Sequence, residues 1–525
     1  MSSLVQQATA AIAENDRGAV SQYLSTQRWF GAKDRRIESL HLLDHAALAE
    51  HPYPIVLCVV AVTYADGPGE RYFLPFVIRR DHEMANAGDR HRITSVPSSD
   101  QPISAWDAAI DGAACAAILE GIRHETQWDS GNGRFVCSRT QAAESLVSLP
   151  LQSIKPIAGE QSNTSVIYDG RVILKLIRKL QMGINPDSEI LEFLSTRTRY
   201  PYVPALMGQI RYAGCGERRK GAGDEASIAV LQSFMPSHGD GWSMAMQHLT
   251  SLVADRDFQR VCGREMNEAV TWMKSFSQGF FRRMRRLGEI TAGLHRALAS
   301  DPSSAAFRPE APTSQDAMAW RQMLAGEIRT AIEQLRAFSR ADLARLSLDG
   351  EGIRALEQSV LKMADDATLL HTEGVMNIRI HGDYHLGQVL DTDPDFVILD
   401  FEGESARPLA VRRAKACALK DVGGMLRSFS YARHAAERTT TLRSDGQRLA
   451  LTEWEHECAA MFLTGYRSAA TAGFLPTEAF AFDRLLSVFQ LEKAIYELGY
   501  ELHHRPDWIE IPIEGLSQLT KAARP

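Results

Sequence analysis

The chain has 525 residues, 45% of them hydrophobic and 23% charged, and a formal net charge of −7. That length exceeds what a single core supports, so two or three domains are expected, in a globular composition without biased tracts. The acidic balance argues against nucleic acid as the main partner, and no apolar run approaches the length that spans a bilayer.

Residues 1–105 are expected to form a first unit. Positions 5–24 carry helical spacing. Gln27-Arg28-Trp29-Phe30-Gly31-Ala32-Lys33 follows, with Trp29 and Phe30 read as core anchors rather than ligand contacts. Two apolar runs, 55–63 and 71–78, flank Asp66-Gly67-Pro68-Gly69 and predict a hairpin with a loop longer than two residues. The polar span 81–101 reads as loops.

Residues 106–236 read as a sheet-and-helix unit, with a helix over 108–122. Gly159-Glu160-Gln161-Ser162-Asn163-Thr164-Ser165 is a polar turn between strands, and 171–177 is a strand. In that strand Lys175 shares a face with Ile173 and Ile177. A buried ammonium needs a partner. Glu189, fourteen residues on and opening a helical run, is the candidate. Positions 211–225 read as a solvated Gly-rich loop with Arg218, Arg219 and Lys220 at its tip. Ala229-Val230-Leu231-Gln232-Ser233-Phe234-Met235-Pro236 is either an ordinary strand ended by proline or a hinge between two lobes.

From 237 onward the pattern is mainly helical. Arg282, Arg283, Arg285 and Arg286 read as a solvated face, ahead of an apolar stripe of Leu287, Ile290, Leu294 and Leu298. His295 reads as a structural hydrogen-bonding residue. Further helices are expected over 316–339 and 353–370. Asp421 is placed to cap a helix or to brace a neighbouring loop. In 485–502, taken as the last helix, Lys493, Tyr496, Glu497 and Tyr500 share one face and Leu491, Ile495, Leu498 and Leu502 another. The polar face is either solvated, with one ion pair, or a sugar-binding surface. The adjacent His503 and His504 cannot both face one metal from a helix.

The most informative stretch is Arg379-Ile380-His381-Gly382-Asp383-Tyr384-His385-Leu386-Gly387-Gln388-Val389-Leu390. Asp383 lies on a loop between apolar runs, and an amide, Gln388, follows five residues later. Asp400, seventeen residues after Asp383, ends the strand-like run Val397-Ile398-Leu399. Kinase-like phosphotransferases share this grammar. The first Asp accepts the proton of the attacking hydroxyl. The amide and second Asp offer the oxygen ligands that magnesium prefers. Asp391, Asp393 and Asp395 sit in the following turn, and His381 and His385 are expected to hold the loop. Lys175 and Glu189 match the strand lysine and helix glutamate of that scheme. No G-x-G-x-x-G or Walker sequence is present. Gln161, Ser162, Asn163 and Thr164 are therefore the candidates for covering the ATP phosphates with backbone N–H groups and short polar side chains. Gln232, Phe234 and Met235 are the hinge candidates for adenine.

The chain resembles the maltokinases, relatives of the aminoglycoside phosphotransferases in the kinase-like superfamily, over almost its whole length. The resemblance rests on residues 27–33, 160–165, Gly183-Ile184-Asn185-Pro186-Asp187-Ser188-Glu189, the Asp383 and Asp400 stretches, 419–429 and Glu492-Lys493-Ala494-Ile495-Tyr496-Glu497. It implies an α+β, bilobal, eukaryotic-protein-kinase-like fold. An N-terminal cap subdomain (1–105) precedes an intermediate subdomain and N-lobe with a mixed ATP-binding sheet (106–236). A large, mainly α-helical C-lobe (237–525) carries the catalytic loop and sugar site.

The implied reaction is ATP-dependent phosphorylation of maltose at its anomeric hydroxyl, giving maltose 1-phosphate for α-glucan (glycogen) synthesis from trehalose and maltose. The resemblance makes Asp383 the base, Gln388 and Asp400 the Mg2+ ligands and Lys175 the phosphate-binding lysine. His385, Glu402, Lys493, Tyr496, Glu497 and Tyr500 are the candidate substrate-binding residues. Many relatives are fused behind a trehalose synthase. Here no glycosidase-like half precedes the module, so a free-standing enzyme is expected, with such a synthase as a partner to consider. The chain departs from the family at Ser405, where Pro is common, and at Cys417-Ala418, where Ser-Pro is common. Alternatives are a kinase for a glucosamine-type sugar or an aminoglycoside, and an inactive kinase-like scaffold. The seven scattered cysteines include no Cys-x-x-Cys pair and fit reduced, buried thiols in a cytoplasmic enzyme. The amino terminus carries Glu14 and Asp16 and no continuous apolar core, unlike a signal peptide.

Overall fold

The computed structural model describes residues 3–14, 18–49, 53–98, 101–146, 152–157, 163–214, 225–262, 266–338, 346, 348–439, 444–470 and 473–522. The chain forms two compact units, Met1–Arg199 with Pro204–Pro236, and Tyr200–Val203 with Ser237–Pro525.

The first unit opens with two helices, Ser3–Glu14 and Ala19–Thr26, where one helical stretch was expected. The second begins just after Gly18, a residue with poor helix propensity. The cap sheet comprises β1 (Ile37–Ala49), β2 (Ile55–Tyr64), β3 (Glu70–Phe73), β4 (Phe76–Arg80), β5 (Arg92–Val96) and β6 (Ile103–Asp107). The expected hairpin is present, but its second arm breaks at Leu74-Pro75 into β3 and β4, both paired with β2. Proline has no N–H for the ladder, which accounts for the break. The span 81–101, expected as loops, contains β5, whose Ile93 and Val96 are buried and which pairs with β6. Its short alternation was hidden among polar neighbours.

The second sheet has the order β7-β8-β13-β14-β11-β10-β9. Its strands are β7 (Gln127–Asp129), β8 (Gly133–Arg139), β9 (Ile154–Pro156), β10 (Asn163–Tyr168), β11 (Val172–Ile177), β13 (Leu206–Gly214) and β14 (Glu225–Ser233), while β12 (Lys179–Leu180) joins the cap sheet beside β3. Every ladder of this sheet is antiparallel, and among the described residues a parallel pairing occurs only as the isolated bridge Gly183↔Ala226. Arg211 to Gly214, expected in a loop, are strand. Arg218, Arg219 and Lys220 lie outside the described residues.

The helix Gly112–Arg123 is capped by Asp111, whose side chain accepts from Ala114 N at 2.8 Å. A short 3-10 turn over Ala108–Ile110 precedes it, so the α-helix starts later than expected. Its Ile118, Leu119 and Ile122 share one core with Leu57, Val59 and Phe73 of the cap sheet and Val166, Leu174 and Leu231 of the second sheet. Each such side chain contributes roughly 1.5–3 kcal/mol by leaving water. One core therefore joins the two sheets, and β6 spans position 105.

The second unit is mainly helical. Helices Ser314–Arg336, Gly350–Ala364, Ala479–His504 and Glu510–Ala522 share a core containing Leu324, Ile328, Val360, Leu491, Leu498 and Leu516. The helix taken as the last is thus followed by another, whose Ile513 and Leu516 need the apolar side of its predecessor. Two short ribbons complete the unit, β15 (Asn377–Ile378) with β18 (Ala416–Cys417), and β16 (Val389–Asp391) with β17 (Phe396–Ile398). No helix of the described residues is long and apolar enough to cross a membrane. The six described cysteines are free and buried.

The arginines of Gln278–Leu298 are not simply a solvated face. Arg283 reaches Asp391 at 2.5 Å and lies over the Phe396 ring at 4.6 Å. Arg286 reaches Asp395 at 2.6 Å and donates to the Tyr202 hydroxyl at 2.5 Å. Both thereby clamp the β16–β17 ribbon.

Candidate active site

In the first unit, β11 presents Lys175 on the side away from the Leu174 and Leu176 core. Its Nζ stands 3.9 Å from the Asp187 carboxylate, which is almost fully buried. Asp187 lies in the first turn of the helix Pro186–Glu192, where Asn185 caps the backbone by accepting from Ser188 N at 3.0 Å. The expected partner, Glu189, stands two residues further along and lines a cavity with Gly183, Ser188, Gln209 and Arg211. Asp187, in the first turn behind Pro186, thus also offers a carboxylate to Lys175, a position where the helix dipole favours negative charge.

Asn163 and Thr164 open β10, and the Thr164 hydroxyl accepts from Arg178 Nε at 2.9 Å. Gln161 and Ser162 lie outside the described residues. Gln232 is buried in β14, and its Oε1 has no hydrogen-bond partner among the described residues. Phe234 N donates to Arg171 O at 2.8 Å, and the Met235 sulfur accepts from Ser233 Oγ at 3.7 Å.

In the second unit, the loop carrying Asp383 is fixed from several sides. His381 N and Gly382 N donate to the buried Asp421 carboxylate at 2.8 and 2.9 Å. Asp421 is held in turn by His295 Nε2 at 3.1 Å, and His295 Nδ1 meets the Tyr466 hydroxyl at 2.9 Å. Asp421 therefore braces the loop, and His295 is structural. His381 Nδ1 accepts from Asp383 N at 3.3 Å, which leaves Nε2 to donate to Leu399 O at 2.8 Å. One ring thus links the Asp383 loop to the residue before Asp400. Gly382 adopts φ +85°, and a Cβ there would lie 3.3 Å from Gly403 Cα, so glycine is needed where the two loops approach. His385 Nδ1 accepts from Gly387 N at 3.1 Å and caps the short turn to Gln388. Burial lowers the His385 pKa, against the pull of Asp383, and keeps the ring neutral.

Gln388 and Asp400 flank the open end of the β16–β17 ribbon. Val389 pairs with Ile398, and Leu399 N donates to Gln388 O at 2.9 Å. Asp400 holds a left-handed φ of +65°, costly for a residue with a side chain and typical of functional sites. An amide and a carboxylate on one rigid edge fit a hard divalent cation completed by phosphate and water oxygens.

Asp383 is met by the helix Ala479–His504. Lys493 Nζ donates to Asp383 Oδ1 at 2.9 Å, lies 3.6 Å from Glu404 Oε1 and stands 4.9 Å from the Tyr496 ring. Burial alone would raise the Asp383 carboxyl, but the Lys493 ammonium, together with the nearby His385 and His381, outweighs it and brings the pKa down to about 2. The carboxylate is therefore ionised and hydrogen-bonded at neutral pH. Burial works to lower the Lys493 pKa, yet Asp383 and Glu404 together raise it.

The other candidates on this helix separate. Glu497 is buried and takes both Arg427 Nε at 3.0 Å and Nη2 at 2.7 Å, so it serves the packing of Leu419–Thr439. Tyr500 packs on His504 and is 43% exposed. Seven residues at 1.5 Å each carry it about 10 Å along the axis from Lys493. Glu402 is held by Arg412 through its carbonyl at 2.7 Å and its carboxylate at 3.4 Å. Glu404, absent from the expected site, is buried beside Lys493. Its place in Asp-Phe-Glu-Gly-Glu was visible, but nothing marked which glutamate turns inward. Lys420 and Glu492, paired at 2.8 Å, extend the same cluster.

Residues 23–111 match the maltokinase N-terminal cap domain. Over 460 residues the chain is 23% identical to a glucosamine kinase from Streptacidiphilus jiangxiensis, covering 85% of this chain and 92% of that one. A glucosamine kinase from Mycolicibacterium smegmatis is 25% identical over 453 residues, 84% of this chain and 98% of the relative. A glucosamine kinase solved in complex with glucosamine, ADP and inorganic phosphate aligns with a TM-score of 0.62 at 20% identity, covering 95% of this chain and 98% of that structure. The chain is maltokinase-like. Its fold is kinase-like, with a maltokinase-type cap, a sheet-rich N-terminal region and a helical C-terminal region.

Proposed function

We propose that this maltokinase-like chain is an ATP-dependent sugar kinase that phosphorylates maltose at its anomeric hydroxyl, giving maltose 1-phosphate. The carrying observation is Asp383, ionised and held at 2.9 Å by Lys493 on a loop braced by Asp421. A kinase-type transfer asks little covalent chemistry of the protein, so positioning and charge dominate. Asp383 orients the acceptor hydroxyl and takes its proton as the new O–P bond forms and the bond to ADP breaks. A carboxylate with a pKa of about 2 is a weak base, which suits a proton that moves late. Gln388 and Asp400 would hold Mg2+, which supplies charge neutralisation for the phosphates. Lys175 is the phosphate-binding cation, oriented by the Asp187 carboxylate.

The acceptor is read as a neutral sugar because the base Asp383 and the neighbouring carboxylate Glu404 already share the chain's own ammonium, Lys493. Tyr496 beside Lys493 offers a flat apolar face with a hydroxyl, a surface suited to a sugar ring. Glucosamine is the second reading, favoured by the names of the relatives. The proposed setting is α-glucan synthesis in the cytoplasm, with a trehalose synthase as the proposed partner. The test is ATP consumption against maltose, glucose, glucosamine, trehalose and maltodextrins, with phosphorus NMR locating the phosphate. Phosphate on C1 of maltose is expected. Transfer to glucosamine alone would replace the acceptor, and no transfer to any sugar would remove the kinase reading.

A further inference from the structure

The ammonium of Lys493 sits on two carboxylates. Its Nζ donates to Asp383 Oδ1 at 2.9 Å and stands 3.6 Å from Glu404 Oε1. Glu404 is buried, and its other oxygen accepts from Arg407 Nε at 3.2 Å, while Arg407 also reaches Glu327 at 2.9 Å. One Glu404 oxygen is thus fixed from outside the cluster and the other faces Lys493. The neighbouring charges have partners of their own. Lys420 holds Glu492 at 2.8 Å, and Glu492 also accepts from Trp320 Nε1 at 3.0 Å. Asp421 is taken by the loop N–H groups and by His295, and Glu497, one turn along from Lys493, is taken by Arg427. Asp383, Glu404, Lys420, Glu492 and Lys493 line one small cavity. Its lysine Lys493 is therefore the cation that the Asp383 and Glu404 carboxylates share.

We propose that Lys493 determines acceptor specificity: its ammonium occupies the seat on Asp383 and Glu404 that the ammonium of an amino sugar would take, and so restricts the site to sugars with a neutral substituent beside the reacting hydroxyl. This rests on the kinase reading above, with Asp383 as the base. An acceptor hydroxyl bonded to Asp383 lies close to Lys493, because both bond the same carboxylate. In a hexose that reacts at its anomeric carbon, the group on C2 is the next one along the ring. A C2 hydroxyl can accept a hydrogen bond from the lysine ammonium, which only donates. A C2 ammonium has no lone pair to offer and sets two like charges in one buried cavity. Removing the lysine charge reverses the preference. Asp383 and Glu404 then lose the cation they share, and a buried charge left unpaired is costly. The ammonium of an amino sugar supplies that charge.

The experiment compares glucose with glucosamine, which differ only at C2, in the full chain and its variants. It measures kcat/KM for each sugar at saturating ATP, and the binding constant of each by calorimetry, which needs no turnover. The ratio between the two sugars is the readout, since a weakened fold or a weakened base lowers both alike. The unmodified chain should favour glucose. Lys493→Ala, which empties the seat, should swing the ratio toward glucosamine by about tenfold or more, the scale of one charge-assisted contact. Lys493→Gln keeps most of the bulk without the charge and should move the ratio the same way by less. Lys493→Arg, which keeps the charge, should keep the preference for glucose. Adding Glu404→Gln to Lys493→Ala should cancel the gain in glucosamine. An unchanged ratio in folded Lys493→Ala or Lys493→Gln would overturn the proposal while leaving the kinase reading in place. A glucosamine gain that survives Glu404→Gln would also overturn it, as would an unmodified chain that favours glucosamine. No transfer to any sugar by the unmodified chain would remove the kinase reading itself.

Discussion

The Asp383 loop and the Lys175 hairpin are held in opposite ways. In the loop many partners are close in sequence, with His381 bonded to Asp383 N, His385 to Gly387 N and Gln388 O to Leu399 N. In the hairpin they are distant or isolated, with Arg178 tying Thr164 to Asp107 and Lys175 standing 3.9 Å from Asp187. A loop that carries its own hydrogen-bonding side chains is compact and leaves a dense signature. A strand braced by another sheet leaves single residues scattered along the chain.

The largest expected break in the comparison is at the ribbon. Asp400→Asn removes a charge from the proposed cation site and should cut kcat by roughly 10²-fold or more, the scale of losing one preorganised electrostatic group. Thermal unfolding should stay native-like, and strong chelation of the unmodified protein should abolish turnover. Full activity under chelation would detach Gln388 and Asp400 from the chemistry.

On the hairpin side, Lys175→Met should raise ATP KM about tenfold, the scale of a lost charge-assisted hydrogen bond. Coupled with Asp187→Asn, the loss should be non-additive in a double-mutant cycle. Additive losses would mean that the two residues act separately.

Lys493→Met sharpens the account of the loop. The folded pKa of Asp383 is depressed to about 2, so its ionised form persists as pH falls until that value. Without the ammonium, burial raises the carboxyl, and the acid limb of kcat/KM should move up to about pH 4 or above. An unchanged pH profile would show that Lys493 does not control the carboxylate. The smallest effect is expected for Tyr496→Ala, which should raise sugar KM a few-fold, roughly 1 kcal/mol of ring contact, with ATP KM unchanged. An unchanged sugar KM would move the acceptor elsewhere.

What was legible in the sequence follows the same division. Asp383, Gln388 and Asp400 could be placed because loop, turn and strand lie within twenty-two residues, 379–400. The brace by Asp421 was legible as one of two roles for a carboxylate at a helix start. Glu189 was read as the partner of Lys175 from its place at the opening of a helical run, and Asp187 of the same first turn also stands 3.9 Å from the ammonium, which helical register alone did not show. Glu497 shares a helical face with Lys493, and a 40° offset per four residues also lets it reach Arg427, which the sequence did not show. Arg283 and Arg286 looked solvated because their partners, Asp391 and Asp395, lie more than a hundred residues away. Arg178 and Asp107 had no local pattern at all, being single polar residues at strand ends.

Asp383 as the ionised base of a sugar kinase is tested most directly by Asp383→Asn, which keeps the shape and removes the basicity. Single-turnover transfer from ATP to maltose is measured beside calorimetric binding of both substrates. The rate should fall roughly 10²-fold or more, the scale of losing a positioned acid or base, with ATP and maltose binding largely intact. Near-normal transfer in Asp383→Asn would contradict the account and remove this carboxylate from the reaction.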